Sequence, residues 1–142
     1  MATVTAELHE GMQVTISDGR HTWTADEPED KGGTDSGPDP YELLLGSLAA
    51  CTCITVSLYC KRKGWKLASV SARLQHDRVH ADDCENCDDE LSGYLERVTS
   101  HIEVEGELDD GQRTRLQEVA ARCPVHKTLA NGVTLQDELA VR

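Results

Sequence analysis

Residues 37–64 read GPDPYELLLGSLAACTCITVSLYCKRKG, and the reading of this stretch decides the fold. It contains the longest apolar run of the chain and three of its six cysteines, Cys51, Cys53 and Cys60. Asp39 has the short acceptor side chain that caps a helix, and Pro40 suits the first helical position, where a missing N–H costs nothing. Glu42 falls in the first turn, facing the positive end of the helix dipole; Lys61, Arg62 and Lys63 face the negative end. Gly64 supplies a left-handed stop. The stretch therefore predicts a helix over 40–63. At 3.6 residues per turn, Leu44, Leu48, Cys51, Thr55 and Leu58 share one face, while Leu45, Ala49, Cys53, Val56 and Cys60 lie along another. A helix apolar on both faces is expected to be buried all round. The small residues Gly46-Ser47 and Ala49-Ala50 would let another element approach its backbone closely.

Working outward toward the N-terminus, residues 25–40 (ADEPEDKGGTDSGPDP) are acidic and broken by Gly and Pro, which makes them a loop long enough to suspect a lid or edge. Before it, residues 1–24 alternate weakly through Val4, Ala6, Leu8, Val14 and Ile16, with turn signals at Glu10-Gly11 and Ser17-Asp18-Gly19. This predicts a small antiparallel meander. Toward the C-terminus, period-two patterning returns in 67–80 (Val70, Ala72, Leu74) and in 95–108 (Val98, Ile102, Val104), so 67–108 reads as an antiparallel hairpin around a polar loop. Asp109 caps a helical stripe of Leu116, Val119 and Ala120, which must end at Cys123 because the residue before Pro124 is pushed out of the α region. A short helix over 124–130 and a last strand around 132–140 complete an α+β chain. At 142 residues, one domain spanning 1–142 is the expectation.

Composition narrows the function. The net charge of −12 argues against nucleic acid and anionic membrane surfaces as partners, since both require a cationic face. No apolar run reaches the length of a membrane span. The N-terminus lacks a cationic lead and an apolar core, so the expected localisation is cytoplasmic. In that compartment six cysteines point to thiol or metal chemistry rather than a disulfide framework. Phe is absent and aromatics make up 4%, which leaves a thin core and suggests burial against a partner subunit.

Three groups of residues carry candidate chemistry. Cys51 is either a small buried hydrophobe or a nucleophile. It lies about three turns into its helix, beyond the reach of that helix's own dipole, so a reactive Cys51 requires a cation from elsewhere in the fold. Cys123 precedes Pro124 and can cap a new helix, whose exposed N–H groups favour a thiolate; plain packing is the alternative. His126, two residues past the proline, either tunes Cys123 or packs. The third group, His76-x3-His80-x3-Cys84-x2-Cys87, has zinc-like spacing. In a strand, however, His76 and His80 lie ~13 Å apart at ~3.3 Å per residue, too far to share one metal. This leaves His80, Cys84 and Cys87 as candidate zinc ligands, with a redox dithiol or an inert loop as the other readings. Nothing resembles the G-x-S-x-G of a serine hydrolase.

GGTDSGPDPYELLLGSLAAC (32–51), KGWKL (63–67) and RCPVHKTL (122–129) together resemble the OsmC/Ohr family of osmotically inducible and organic-hydroperoxide-resistance proteins. The resemblance covers roughly residues 20–140, and the pairing of the ELLL…AAC block with a downstream CPV is what makes it specific. It implies an OsmC-like fold, in which antiparallel sheets wrap long central helices in an intertwined homodimer. It also implies a thiol peroxidase that acts on small-molecule hydroperoxides, is recycled by a dithiol reductant (lipoyl-type or other) and requires no cofactor. By motif, Cys51 corresponds to the peroxidatic cysteine, Cys123 to the resolving one, and Glu42 to the glutamate that holds an activating arginine. Arg20 is the only arginine before Cys51 and corresponds to that arginine. Cys53, Cys60 and the 76–87 segment are departures from the best-understood branches. The alternative they raise is a non-enzymatic zinc-binding or redox-sensing protein acting through His80, Cys84 and Cys87.

Overall fold

The computed structural model describes residues 1–80 and 93–142. The chain divides into two compact units, Met1–Gly46 and Ser47–Arg142.

The first unit begins with the expected meander. Strands β1 (Thr5–Leu8), β2 (Val14–Ser17) and β3 (Thr22–Ala25) pair antiparallel in that order, with Leu8 opposite Val14 and Ser17 opposite Thr22. Asp18 organises the β2–β3 turn. Its carboxylate accepts the N–H groups of Arg20 (2.8 Å) and His21 (2.6 Å) and pairs with His21 Nδ1 (2.9 Å). These bonds, the His21 ring foremost, pull its pKa down to about 2. The loop that follows is more tightly built than a lid. Asp26, only 2% exposed, accepts the backbone N–H of Glu27, Thr34 and Ser36 and both hydroxyls of Thr34 (2.6 Å) and Ser36 (2.7 Å). Its own N–H donates to the carbonyl of Pro38, closing the loop over a short 3-10 turn at Glu29–Lys31. Gly33 and Gly37 fit because a Cβ on either would run into the carbonyl of Glu27 or Thr24.

Helix α1 spans Pro40–Lys63, as its end signals predict. The Glu42 N–H donates to the Asp39 carboxylate (2.8 Å) and the Asp39 N–H donates back to Glu42 Oε1 (3.1 Å), a reciprocal capping box. At the far end the N–H of Gly64, at φ 70°, reaches the Lys61 carbonyl and the N–H of Trp65 reaches Cys60. These are the two bonds of a Schellman stop. Burial all round is not observed. Leu48, Thr52, Val56 and Cys60 form one buried stripe, while Tyr41, Leu44, Ile54 and Leu58 remain 40–59% exposed. The apolar pattern is present, but a single chain covers only one side of the helix. The sequence expectation about membrane-spanning length also needs correcting. Gly, Ser, Thr and Cys interrupt the run, yet an 18-residue window of α1 averages a hydropathy of 1.9, so by length and composition this helix is able to cross a membrane. The central helix of a globular protein passes the same test.

In the second unit, β4 (Lys66–His80) and β5 (Tyr94–Glu107) form the predicted antiparallel hairpin, in register from Lys66 opposite Glu107 to His80 opposite Tyr94, with a bulge at Leu67–Ser69. Helix α2 (Asp110–Ala120) opens with a second capping box, Asp109 with Gln112. Val56 and Cys60 of α1 and Leu116 and Ala120 of α2 form the core, flanked by Tyr59, Trp65, Leu67, Val70, Val104 and Leu108. Tyr59 ties the two helices together at the rim: its ring meets Trp65 edge-on at 5.4 Å and its hydroxyl accepts Nε–H of Arg115 at 3.2 Å. Helix α3 (Pro124–Asn131) follows directly. The predicted strand around 132–140 does not form. Residues 132–142 take no regular structure, and Val133, Leu135, Leu139 and Val141 are 60–90% exposed. The alternation is real, but the segment pairs with none of the described strands.

Candidate active site

The site is built where α1 passes the start of α3. Cys123 ends the turn after α2, and because Pro124 follows it, it cannot continue a helix and becomes the N-cap of the next. Its sulfur accepts the His126 N–H at 3.4 Å. The backbone of His126, rather than its imidazole, therefore touches the cysteine. Cys51, in the middle of α1, is half-buried; Cys123 is fully buried. The two are 72 positions apart in the chain (123 − 51), yet as free thiols they lie close enough to shift each other's protonation.

Their surroundings push the two thiols in opposite directions. Burial raises Cys51, but three hydrogen bonds outweigh it: the Cys123 thiol, the Val125 N–H and the Thr55 hydroxyl all donate to its sulfur, and the net direction is down. Cys123 is raised, first by burial and then by its bond to Cys51, against the opposing N–H groups of His126 and Val125. The arrangement thus favours a thiolate at Cys51 beside a protonated Cys123. From sequence, a reactive Cys51 needs a cation from elsewhere in the fold. Here the groups that lower its pKa come from the second unit itself and carry no formal positive charge. The dipole of α1 does not reach Cys51, but the start of α3 lies beside it, and the Val125 N–H helps to lower its pKa.

The other sequence candidates fall elsewhere. The carboxylate of Glu42 serves the α1 capping box. Arg20 lies exposed in the β2–β3 turn, where its backbone N–H is held by Asp18; within the first unit its guanidinium makes no ion pair with Glu42. Cys60 belongs to the core and burial raises its pKa, which fits packing; Cys53 is half-buried. His80 is the last residue of β4, its ring edge-on to Tyr94 at 5.4 Å, while His76 pairs with Glu96 at 2.6 Å. Cys84 and Cys87 lie outside the described residues, and among the described residues no group of three His, Cys, Asp or Glu is arranged to hold a metal. Two contributors were missed from sequence. Thr55 had one signal, its place one helical turn after Cys51; Val125 contributes only backbone, and a Cys-Pro pair opening a helix is the available hint.

Two free cysteines brought together by a central helix and a helix N-terminus make this an α+β fold with a candidate dithiol site. The OsmC-like protein family model matches residues 33–137, and the chain belongs to that family. Its fold is similar to an OsmC-like protein from Mycoplasma pneumoniae (24% identity, TM-score 0.72, covering 92% of this chain and 87% of that one). It is also similar to an organic hydroperoxide resistance protein OsmC from Legionella pneumophila (19%, 0.63, 89% and 87%) and to the organic hydroperoxide resistance protein OhrB of Bacillus subtilis (22%, 0.60, 89% and 88%). No curated relative matches the sequence.

Proposed function

We propose that this protein is a cysteine-based peroxidase that reduces organic hydroperoxides in oxidative or osmotic stress defence. The observation that carries this reading is the pairing of two free thiols, Cys51 on the central helix and Cys123 at the N-cap of α3, with Cys51 pushed toward thiolate and Cys123 toward thiol. The Cys51 thiolate attacks one oxygen of the substrate's O–O bond, that bond breaks, and the alkoxide takes a proton and leaves as alcohol, so that Cys51 becomes a sulfenic acid. The Cys123 sulfur then attacks the Cys51 sulfur, water leaves, and a disulfide forms. An external dithiol, lipoyl-type or other, reduces it by thiol–disulfide exchange. Arg20 and Glu42 enter the reading by the family motif alone, since in this structure the Glu42 carboxylate caps α1. Leu44 and Leu48, on the turns before Cys51, give the apolar character that suits alkyl rather than hydrogen peroxide. No cofactor is required. A homodimer is part of the proposal, supported by the exposed apolar face of α1, and so is a cytoplasmic location.

The test is direct. One equivalent of an alkyl hydroperoxide should produce a Cys51–Cys123 disulfide by mass spectrometry, and Cys51→Ser should lose turnover by about 10³-fold or more. Undiminished turnover in Cys51→Ser sinks the reading. A Cys84–Cys87 bridge as the sole product would transfer the chemistry to that segment and favour a sensor.

A further inference from the structure

We propose that Lys63 and Arg115, gathered on the ring of Tyr59 at the end of α1, form a docking surface for an acidic segment of the protein that re-reduces the Cys51–Cys123 pair. The inference rests on the dithiol reading of that pair and adds the chemistry of the partner that serves it.

A cationic face stands out in a chain with 14 basic and 26 acidic residues. Lys63 Nζ lies 5.7 Å from the centre of the Tyr59 ring and the Arg115 guanidinium 5.9 Å from it, while Arg115 Nε–H donates to the phenol oxygen at 3.2 Å. Trp65, edge-on at 5.4 Å, holds the ring in turn. The helix dipole accounts for Lys61, Arg62 and Lys63 in the last turn of α1. It does not account for Arg115, which comes from the middle of a second helix with no basic residue in its own last turn. The cations also outnumber their acids. Glu118 pairs with Arg115 Nη1 at 2.6 Å, and among the described residues Lys61, Arg62, Lys63 and Arg122 have no ion-pair partner. Tyr59 and Glu118 take Nε and Nη1 of Arg115, which leaves its Nη2 N–H groups for an incoming carboxylate. Because the ring holds two long cationic side chains in place beforehand, a carboxylate meets fixed partners and less freedom is lost on binding. The phenol registers the same field: its pKa is lowered, first by the Arg115 hydrogen bond and then by the charges of Arg115, Lys63 and Arg122.

The patch stands where a reductant has to arrive. Arg62, eleven residues after Cys51, returns to within about 20° of the same face of α1, about 16 Å further along. Arg122 is the residue before Cys123. A protein whose acidic segment lies over Tyr59 therefore reaches the disulfide with an arm of about five extended residues.

Two synthetic peptides test this, each a Cys-x-x-Cys dithiol flanked by glutamates in one and by glutamines in the other. First, their serine versions are titrated into the reduced full-length protein and the amide NMR signals followed. The glutamate peptide should move the signals of residues 59–65 and 115–122, the glutamine peptide should not, and added salt should weaken the binding. Lys63→Glu/Arg122→Glu, at two exposed positions, should abolish those shifts while its circular dichroism stays that of wild type. Second, diamide oxidises the pair and its reduction by each dithiol peptide is timed. A peptide thiolate attacks one sulfur of the disulfide, and the other sulfur leaves and takes a proton. The second peptide thiol then displaces the first, so two electrons pass and the peptide ends as a disulfide. At low salt, the glutamate-to-glutamine ratio of rates should be about tenfold higher for wild type than for the double variant. No shift with the glutamate peptide, equal shifts with both, shifts that survive the double variant, or a ratio that ignores it each overturn the proposal. So does a failure of diamide to join Cys51 to Cys123, which ends the dithiol reading as well. Charge-dependent docking and reduction in a protein that consumes no alkyl hydroperoxide would sink the peroxidase reading and leave this one standing.

Discussion

At the scale of single residues, Cys51 and Cys123 divide the work through their protonation. A thiol that donates to its neighbour cannot itself be the better nucleophile, and burial alone would disfavour a thiolate at either position. The hydrogen bonds on Cys51 reverse that penalty there and deepen it at Cys123. The order of steps in the proposed reaction follows from this. Cys123→Ser should complete a single oxidation of Cys51 at close to the wild-type rate and then stop, leaving a sulfenic acid that a 1,3-diketone traps and that excess peroxide carries to the sulfinic acid. Because Cys51 is shifted down, the rate of the first oxidation should fall with acid at a lower pH than the alkylation or oxidation of an ordinary cysteine thiol does. Stopped-flow oxidation as a function of pH, with a free cysteine peptide alongside, checks this; a fall that coincides with the peptide's or begins above it would contradict it.

At the scale of elements, the parts of this fold that could be read from sequence are those whose causes are local. Asp39-Pro40 and Lys61-Arg62-Lys63-Gly64 mark both ends of α1, Asp109 opens α2, and Cys123-Pro124 opens α3, because capping and proline geometry act within a few residues. The hairpin followed from its alternation. What was not legible depends on distance in the chain. The convergence of α1 and α3 that joins Cys51 to Val125 carries no spacing signature, and the motif resemblance alone pointed to the cysteine pair. The internal bonding of the loop 25–40 was hidden for a similar reason. Asp26 looks like one acid among several, yet it alone is buried, and it gathers bonds from residues eight and ten positions ahead. Those bonds, the Thr34 hydroxyl first and the Ser36 hydroxyl next, hold its carboxyl well below the usual carboxylate range. A folded-state pKa lowered in this way stabilises the protein above the ordinary carboxylate range and loses that contribution as pH falls through the depressed value. Asp26→Asn, which places an amide donor among groups that already donate, should be less stable than wild type in urea at neutral pH, and the difference should shrink at strongly acid pH. A difference that persists unchanged into acid would assign the loss to packing rather than charge.

At the scale of the whole molecule, association turns on the open side of α1. Its buried stripe supplies the core of one chain, while Ile54 at 59% and Leu58 at 48% exposure lie on the side that chain leaves open. Fully burying such a side chain is worth about 1.5–3 kcal/mol, which makes a row of them a strong drive to associate. Charge opposes it: each chain carries −12, so two copies repel. A homodimer held by α1 therefore has a distinctive dependence on salt. Raising the ionic strength from about 10 mM to about 1 M shortens the screening length from about 30 to about 3 Å, which removes repulsion without weakening apolar contact. Sedimentation equilibrium should give twice the 15.6 kDa chain mass, with association that tightens as salt is added. Ile54→Asp puts a charge into the apolar face and should return the protein to the chain mass at concentrations where wild type is paired, while its circular dichroism stays that of the folded chain, because Ile54 is outside the core of its own unit. A dimer that survives Ile54→Asp, or one that salt dissociates, would mean that charged surfaces rather than α1 hold the copies together.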